Sequence, residues 1–340
     1  MSSRLVRLAA AVMVSVAALP AVARPPHHTD DGFQNVPVVE RAGAGVALPF
    51  FVRLVLRRFG DVGVPPPVAA NDGAFLRDNA SHSVPTVTWI GHATLLVQMD
   101  HVTFLTDPIW AETASPVSFA GPRRFVPPGI ALAQLPRIDF VVLSHAHYDH
   151  TDVGTLRSLT NGRTRFLTPL GLGKVLRDAD IGPVEELDWW QSTTVGGVEV
   201  TCVPTQHWSQ RGLFDRDETL WSGWAVVGKT RRFYFAGDTG YFAGFATIGE
   251  LLGPFDLAAV PIGAYEPSAM MRPFHLDPEE AVAAGLDVRG ERLIGMHYGT
   301  FELTEEPIDE PSRRFRAEGV RRGIADDRVL TPAVGETRRW

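Results

Sequence analysis

Short apolar segments separated by polar turns dominate the sequence from Thr86 onward. A continuous apolar run occupies residues 138–143, and such a run predicts a strand buried on both faces. Apolar and polar residues alternate at Val198–Val203, which is typical of a strand with one buried face. Asp277-Pro278-Glu279-Glu280 predicts a helix start, with an N-cap aspartate, a proline at the first helical position and acidic residues in the first turn. The alternation of strands and helices predicts a layered α/β sandwich.

Two antiparallel hairpins are predicted from paired strand signals. The first joins Thr94–Met99 to Val102–Thr106, and the second joins residues 221–227 to Arg232–Phe235. A further helix is predicted from about Asp152, where apolar residues recur at helical spacing.

Four side chains of types that commonly ligate metal ions follow the 138–143 strand directly: His145, His147, Asp149 and His150. Loops at the carboxyl ends of strands are where α/β sheets place their ligands. Imidazole and carboxylate groups suit Zn(II), Fe(II) and Mn(II), and so dense a set exceeds what one tetrahedral ion needs. A solvated polar loop is the alternative, but such a cluster would repel itself once protonated. The cluster therefore predicts two divalent ions.

Three more candidate ligands lie downstream. His207, Asp238 and His297 each follow a predicted strand closely. Side chains at the ends of separate strands can converge on one point, so these residues complete the predicted site.

The ordered pattern H-x-H-x-D-H, then H, D and H, resembles the metallo-beta-lactamase superfamily of dinuclear hydrolases. Five further motifs are similar to those of the N-acylphosphatidylethanolamine-hydrolysing phospholipase D group. They are W-I-G-H-A-T at 89–94, T-D-P at 106–108, A-S-P at 114–116 with A-G-P at 120–122, P-I-G-A-Y-E-P at 261–267 and H-L-D-P-E-E-A at 275–281. The resemblance covers about residues 86–330 and implies a four-layer αβ/βα metallo-beta-lactamase sandwich. Phe274 departs from the pattern, because the phospholipases are expected to have a polar residue there.

The resemblance also implies a ligand assignment. One ion would be held by His145, His147 and His207, a second by Asp149, His150 and His297, and Asp238 would bridge both. Zinc is the expected metal, with manganese or iron as alternatives, and a hydroxide bridging the two ions would be the nucleophile. Asp149 would orient that hydroxide, and His275 is predicted to contact the substrate or leaving group without holding metal. Asp149 and His275 are thus the candidate catalytic residues.

Other polar residues are open to two interpretations. Asp107 either accepts a hydrogen bond from a ligand imidazole or forms a turn before proline, and His92 either supports a ligand or ends a strand. Cys202 is predicted to be a core residue. Surface positions are predicted for His27, His28, His82 and His101.

The N-terminus predicts export. A signal peptide of residues 1–23 is predicted by Arg4 and Arg7, an apolar segment at 8–19 and Ala21-Val22-Ala23. The alternatives are an uncleaved anchor and an apolar start to the first domain. The mature protein would then be periplasmic or secreted. It would consist of an N-terminal extension (24–80) and a hydrolase domain (81–340). Losing the two arginines changes the formal net charge from −7 to −9, which argues against a nucleic-acid partner.

Residues 50–59 are apolar and basic, with four apolar side chains on one helical face. A short helix docked on the domain is favoured, and peripheral contact with an anionic membrane is the alternative. An apolar mouth for an acyl chain is a further hypothesis, for which the candidates are Trp208, Phe214, Tyr265, Met270, Met271 and Phe274.

The predicted function is that of an exported, metal-dependent phosphodiesterase of phospholipase D type, acting on a small-molecule or lipid-like substrate. The alternatives are a lactonase or other ester hydrolase on the same site and, in a different class, a redox or metal-binding protein of this fold. A redox role normally needs a flavin domain or spare cysteines, which the sequence does not offer.

Overall fold

The computed structural model describes residues 24–41, 43, 49–50, 63–117 and 119–340. The predicted signal peptide and nearly all of the 50–59 segment lie outside these ranges, so both predictions stay as made from the sequence. In the part of the chain that the structure describes, no helix is both long enough and apolar enough to cross a membrane.

Two seven-stranded sheets form within the described residues. The first has the order β14-β1-β2-β3-β4-β5-β6 and the second the order β13-β12-β11-β10-β9-β8-β7. The strands are β1 Thr86–Gly91, β2 Thr94–Met99, β3 Val102–Thr106, β4 Phe140–Val142, β5 Arg165–Pro169, β6 Val184–Leu187, β7 Ser192–Val195, β8 Val198–Val203, β9 Gly223–Val227, β10 Arg232–Phe235, β11 Leu257–Pro261, β12 Leu293–Met296, β13 Val329–Leu330 and β14 Thr337–Arg339.

Helices accompany both sheets. The α-helices are α1 Ala74–His82, α2 Val153–Leu159, α3 Gly173–Asp178, α4 Gly244–Leu252, α5 Ser268–Met271, α6 Pro278–Asp287 and α7 Glu310–Arg321, and short 3₁₀ helices lie at Leu132–Gln134 and Asp326–Arg328.

Successive side chains of the first sheet lie alternately in two apolar cores, one on each face of the sheet. On β2, Leu95 and Val97 join the apolar cluster shared with the second sheet, whereas Leu96 joins a cluster that contains residues of α1, α2 and α3. This is the period-two pattern that a strand requires when both of its faces are covered. On the second sheet, α6 packs against β11 and α7 against β13. The order of layers is therefore helix, sheet, sheet, helix, and the predicted four-layer α/β architecture is confirmed.

Both predicted hairpins are present. β2 pairs with β3 in antiparallel register, and β9 pairs with β10 in the same way. The second hairpin begins at Gly223 rather than at residue 221, because the backbone N–H of Ser222 bonds to the carbonyl of Ser144 instead of entering the ladder. Helix α6 begins at the predicted proline, and Asp277 and Glu280 form a reciprocal capping box.

The N-terminal residues are attached to the domain at several places. Val68 forms a β-bridge with Val334, and α1 contributes Leu76 to the helix-facing core. The boundary predicted between residues 80 and 81 falls inside α1.

Candidate metal centre

The seven predicted ligands lie at the ends of four strands drawn from both sheets. The loop after β4 in the first sheet contributes four of them. The other three follow β8, β10 and β12 in the second sheet and are His207, Asp238 and His297. The ends of β4 and of three alternate strands of the second sheet therefore bring together residues that are far apart in sequence.

One group of ligand atoms consists of three ring nitrogens. His147 Nδ1 lies 2.7 Å from His145 Nε2 and 3.4 Å from His207 Nε2. Burial lowers the pKa of His145 and His207 well below the usual value, so these imidazoles are neutral. A single shared hydrogen could satisfy only one of these contacts, whereas a cation accepts all three lone pairs. This group fits a metal ion.

A second group surrounds one oxygen of Asp238. Asp238 Oδ2 lies 3.1 Å from His150 Nε2 and 3.0 Å from His297 Nε2, and Asp149 Oδ2 lies 3.3 Å and 3.5 Å from the same two nitrogens. Burial opposes protonation of His150, but the negative charges of Asp238 and Asp149 outweigh it and raise the pKa of His150 well above the ordinary value. The charge that these carboxylates attract can be supplied equally by a metal ion, whose binding releases protons.

Asp238 lies between the two groups. Its Oδ2 atom is also 3.9 Å from His207 Nε2, which belongs to the first group. Its Oδ1 atom is buried and has no hydrogen-bond partner among the residues that the structure describes. Buried carboxylate oxygens are normally paired, so this orphan oxygen fits a ligand that bridges two ions.

Asp107 contacts a ligand of the second group directly and a ligand of the first group through Ser144. Its carboxylate accepts hydrogen bonds from Ser144 N (2.7 Å), Ser144 Oγ (2.5 Å) and His150 Nδ1 (2.7 Å). Ser144 Oγ in turn lies 2.8 Å from His145 Nδ1. Burial raises the pKa of Asp107, and the hydrogen bonds from His150 and Ser144 oppose this rise. Of the two interpretations offered by the sequence, the structure places Asp107 in contact with a ligand imidazole, where it keeps the Nε2 lone pair of His150 directed inward.

His92 is also brought to the centre. Its Nε2 lies 2.9 Å from Asp149 Oδ2, and its backbone carbonyl accepts a hydrogen bond from the N–H of His297. Burial lowers its pKa to about 3, so the ring is neutral and can donate a hydrogen bond to the carboxylate. His92, Asp107 and His297 all have positive φ angles, of 54°, 35° and 61°. Such conformations are uncommon for residues other than glycine and are concentrated at functional sites.

His275 lies at the edge of the first group. Its buried Nδ1 is 4.0 Å from Asp238 Oδ2 and has no hydrogen-bond partner in the described part of the chain. Together with His207 and Asp238 it forms a set close enough to hold an ion, so the geometry permits either a ligand or a substrate contact. The backbone carbonyl of the preceding Phe274 accepts a hydrogen bond from His207 Nδ1 at 3.0 Å. Phe274 thus orients a ligand through its main chain, a role that does not depend on a polar side chain.

The surface prediction is wrong for His27. This residue is only 6% exposed, stacks on Trp189 and pairs with Asp188. His28 is half-buried against the same carboxylate, whereas His82 and His101 are exposed as predicted. Cys202 is buried, which confirms its assignment to the core.

Asn35 is a supporting residue that no sequence pattern indicated. Its amide donates to the carbonyl of His207 at 2.8 Å and accepts from the N–H of His207 at 3.1 Å. It also accepts a hydrogen bond from Trp221 Nε1. The N-terminal segment therefore fixes the backbone of a predicted ligand.

Cavity size does not identify this centre. A cavity of about 660 Å³ lies elsewhere, bordered by Asn71, Phe75 and Arg339, and contains none of the predicted ligands. The space beside His297 measures only about 30 Å³. Ligand side chains fill the centre, and its chemistry rather than its volume marks it as functional.

Known proteins are similar to this chain in sequence and in fold. A family model described as "Beta-lactamase superfamily domain" matches residues 102–298. N-acyl-phosphatidylethanolamine-hydrolyzing phospholipase D 1 of Caenorhabditis elegans is 41% identical over 324 residues, which cover 89% of this chain and 91% of that protein. The mitochondrial enzyme of the same description from Saccharomyces cerevisiae is 28% identical over 74% of this chain and 55% of its own length. The solved structure of a metallo hydrolase from Ignicoccus hospitalis has a TM-score of 0.58 at 24% identity, covering 76% of this chain and 98% of that one.

The chain belongs to the metallo-beta-lactamase superfamily and is a metal-dependent hydrolase of that fold. Within the superfamily its relatives include the N-acylphosphatidylethanolamine-hydrolysing phospholipases D, as the sequence motifs predicted. The prediction of a hydrolase is confirmed at this level.

Proposed function

We propose that this protein is a dinuclear phosphodiesterase of phospholipase D type whose substrates carry an acyl chain or a similar apolar group. The observation that carries the proposal is the pair of ligand groups joined by Asp238, in a chain 41% identical to a phospholipase D. The name of that relative specifies N-acylphosphatidylethanolamine, which makes this lipid the first substrate to test.

The residues present fit two divalent ions. His145, His147 and His207 would hold one ion, Asp149, His150 and His297 the other, and Asp238 both. Such a pair lowers the pKa of a water molecule and stabilises negative charge on an attacked phosphoryl group. Asp107, His92 and Asn35 would keep the ligand atoms in place, since each bonds to a ligand residue or its backbone.

Two side chains of this chain would handle protons. Asp149 Oδ2 is engaged by His92 at 2.9 Å, which leaves Oδ1 to accept a proton from the attacking water. The water oxygen forms a bond to phosphorus while the bond between phosphorus and the leaving alcohol oxygen breaks. The buried Nδ1 of His275, which has no hydrogen-bond partner among the described residues, would donate a hydrogen bond to that departing oxygen.

Cationic and aromatic side chains surround the approach to His147. The Trp208 ring lies 4.3 Å from the His147 ring, and the guanidinium groups of Arg41 and Arg216 lie 5.5 Å and 5.1 Å from the Trp208 ring centroid. Arg41 also lies 5.6 Å from the ring of Phe274. These positive charges favour a substrate with a negatively charged phosphate.

An apolar loop tip lies beside this region and supports an interfacial substrate. Leu213 and Phe214 are 86% and 92% exposed, and no other described large apolar residue is more exposed than either. Arg211 connects the loop to the ligand loop, because its guanidinium donates to the carbonyls of Ala146 and Thr151. Adjacent exposed apolar residues flanked by arginines suit contact with an anionic lipid surface. Of the other mouth candidates, Tyr265 and Phe274 are buried and Met270 and Met271 are half-buried.

The test compares wild type with His275→Ala. Both proteins should bind close to two metal ions at the seven predicted ligands, so their metal contents by elemental analysis should be equal. The variant should hydrolyse N-acylphosphatidylethanolamine about a hundredfold more slowly. Its deficit should be smaller on aryl phosphodiesters, whose leaving groups need no proton. His101→Ala, at an exposed histidine remote from the ligands in sequence, is the control.

Two results would contradict the proposal. If lactones were hydrolysed while every phosphodiester was inert, the ester-hydrolase alternative would replace it. If reconstitution with Zn, Mn or Fe gave one ion or none, the dinuclear assignment would fail.

We also propose export, on the basis of Arg4, Arg7, the apolar segment at 8–19 and the small residues at 21–23. N-terminal sequencing of the mature protein should begin near Arg24. Recovery of intact Met1 from the cytosolic fraction would exclude this.

A further inference from the structure

A second cluster of metal-binding side chains lies outside the candidate metal centre. His27 Nε2 is 2.7 Å from Asp188 Oδ1, and His28 Nε2 is 2.8 Å from Asp188 Oδ2. The three ligand atoms lie within 4.8 Å of one another. Two imidazoles thus converge on one carboxylate, which is 161 residues from His27 and 160 residues from His28 in sequence.

The cluster is held firmly by its surroundings. The ring of His27 stacks on Trp189 with centroids 4.3 Å apart, and the ring of His28 packs edge-on against Phe33. The Asp188 carboxylate is anchored by the N–H of Trp189 at 2.8 Å. Side chains fixed in this way lose little freedom when they bind an ion.

The spacing of the donor atoms matches that in the metal centre. There, His145 Nε2 and His147 Nδ1 are 2.7 Å apart, and His150 Nε2 and Asp238 Oδ2 are 3.1 Å apart. Ligand atoms about 2.0 Å from a tetrahedral ion are about 3.3 Å from each other. Each of the two histidine–aspartate distances would therefore lengthen by only about 0.5 Å to admit an ion. The side chain of His28 is 24% exposed, which provides an entrance and a position for water.

We propose that His27, His28 and Asp188 bind a divalent transition-metal ion separate from the candidate metal centre. Two imidazole nitrogens and one carboxylate suit Zn(II), whereas Ca²⁺ and Mg²⁺ prefer oxygen ligands alone. Water completes the coordination. The ion would cross-link the N-terminal segment, residues 24–41, to the turn that follows β6.

This cross-link would also stabilise the candidate metal centre, because Asn35 of the same segment contacts His207. Asn35 lies seven residues after His28 on the same segment and bonds both backbone groups of His207. Trp189, on which His27 stacks, donates to the carbonyl of Trp221, and Trp221 donates to Asn35. An ion at His27 and His28 thus holds the segment that fixes His207.

The experiment measures zinc per chain in the full-length protein after loading with Zn(II) and removal of the excess. His28→Ala and Asp188→Asn should each contain one zinc fewer than wild type. His82→Ala is the matched control, because His82 also lies near a carboxylate, that of Asp78, but belongs to no group of three ligands in the described chain, and its zinc content should be unchanged. Asp238→Ala disrupts the candidate metal centre. The double variant Asp238→Ala/His28→Ala should contain one zinc fewer than Asp238→Ala alone.

Anomalous diffraction at the zinc edge from wild-type crystals is a second measurement that does not depend on the folding of any variant. A peak between His28 and Asp188 supports the proposal. Equal zinc content in all variants, or crystals without a peak at this position, overturns it and leaves two histidine–aspartate hydrogen bonds. Because the readout is a difference at one cluster, it stands whether the metal centre holds two ions or fewer.

Discussion

Asp107→Asn tests whether the Asp107 carboxylate orients the imidazole of His150 in the candidate metal centre. The carboxylate is fully buried and accepts three hydrogen bonds, two from Ser144 and one from His150 Nδ1. An asparagine of the same shape retains one acceptor oxygen, and its NH₂ group cannot accept from His150. His150 then loses its partner or moves its proton to Nε2, the nitrogen that faces the ion.

The expected magnitude follows from the unpaired group. An unsatisfied buried donor costs about 1–3 kcal/mol. Since about 1.4 kcal/mol corresponds to a tenfold change in affinity, the ion proposed to be held by His150 should bind about 5- to 140-fold more weakly. Zinc titration in competition with a chromophoric chelator measures this directly. Thermal unfolding of chelator-treated protein reports the loss of stability separately.

Asp152→Asn is the control for this experiment. Asp152 is also a hydrogen-bonded carboxylate beside the ligand loop, but it caps α2 and bonds to Gly154, Thr155, Trp110 and Ala111 rather than to a ligand imidazole. The Asp152→Asn variant should be less stable than wild type but should bind zinc with unchanged affinity. If Asp107→Asn bound zinc with wild-type affinity, or if both variants weakened it equally, the orienting role of Asp107 would be refuted.

Three further predictions concern the fold and the loop tip. Asp277→Ala removes the cap of α6, in which Asp277 Oδ1 accepts from Glu280 N at 2.7 Å, and should cost about 1 kcal/mol, seen as a fall of about 2 °C in Tm. Hydrogen bonds from Arg321 and Arg322 lower the pKa of Glu318 to about 2. Its contribution to stability is therefore complete above its ordinary pKa of about 4.5 and disappears as the pH falls toward 2, so the difference in Tm between wild type and Glu318→Gln should shrink below about pH 4.5. Replacing Leu213 and Phe214 by serine should reduce co-sedimentation with anionic vesicles while hydrolysis of a soluble aryl phosphodiester is retained. Unchanged vesicle binding would exclude the loop tip as the contact.

Local patterns in the sequence predicted the hairpins, the cap at Asp277 and the ligand cluster at 145–150. These features depend on residues that are neighbours in the chain, so spacing alone carries the information. The sequence could also predict that the seven ligands converge, because each of them follows a strand and the carboxyl ends of such strands lie at the same edge of a sheet.

The supporting contacts could not be found in this way. Asn35 and His207 are 172 residues apart, and His27 and Asp188 are 161 apart. No periodicity links such positions, and the surface prediction for His27 failed because its partner belongs to a distant turn. Asp107 and His92 were intermediate cases, since each lies in a short motif but its partner depends on how the strands pack.

The division of the predicted ligands between the two sheets has a consequence for assembly. A cut in the turn between β6 and β7 would leave four ligands on the N-terminal fragment and three on the C-terminal one. Neither fragment would contain a complete set of ligands for either of the two proposed ions, and β14 of the second fragment would still be needed to pair with β1 of the first. Recombination of two such fragments should therefore depend on added zinc, which makes metal content a direct measure of whether the two halves of the molecule have come together.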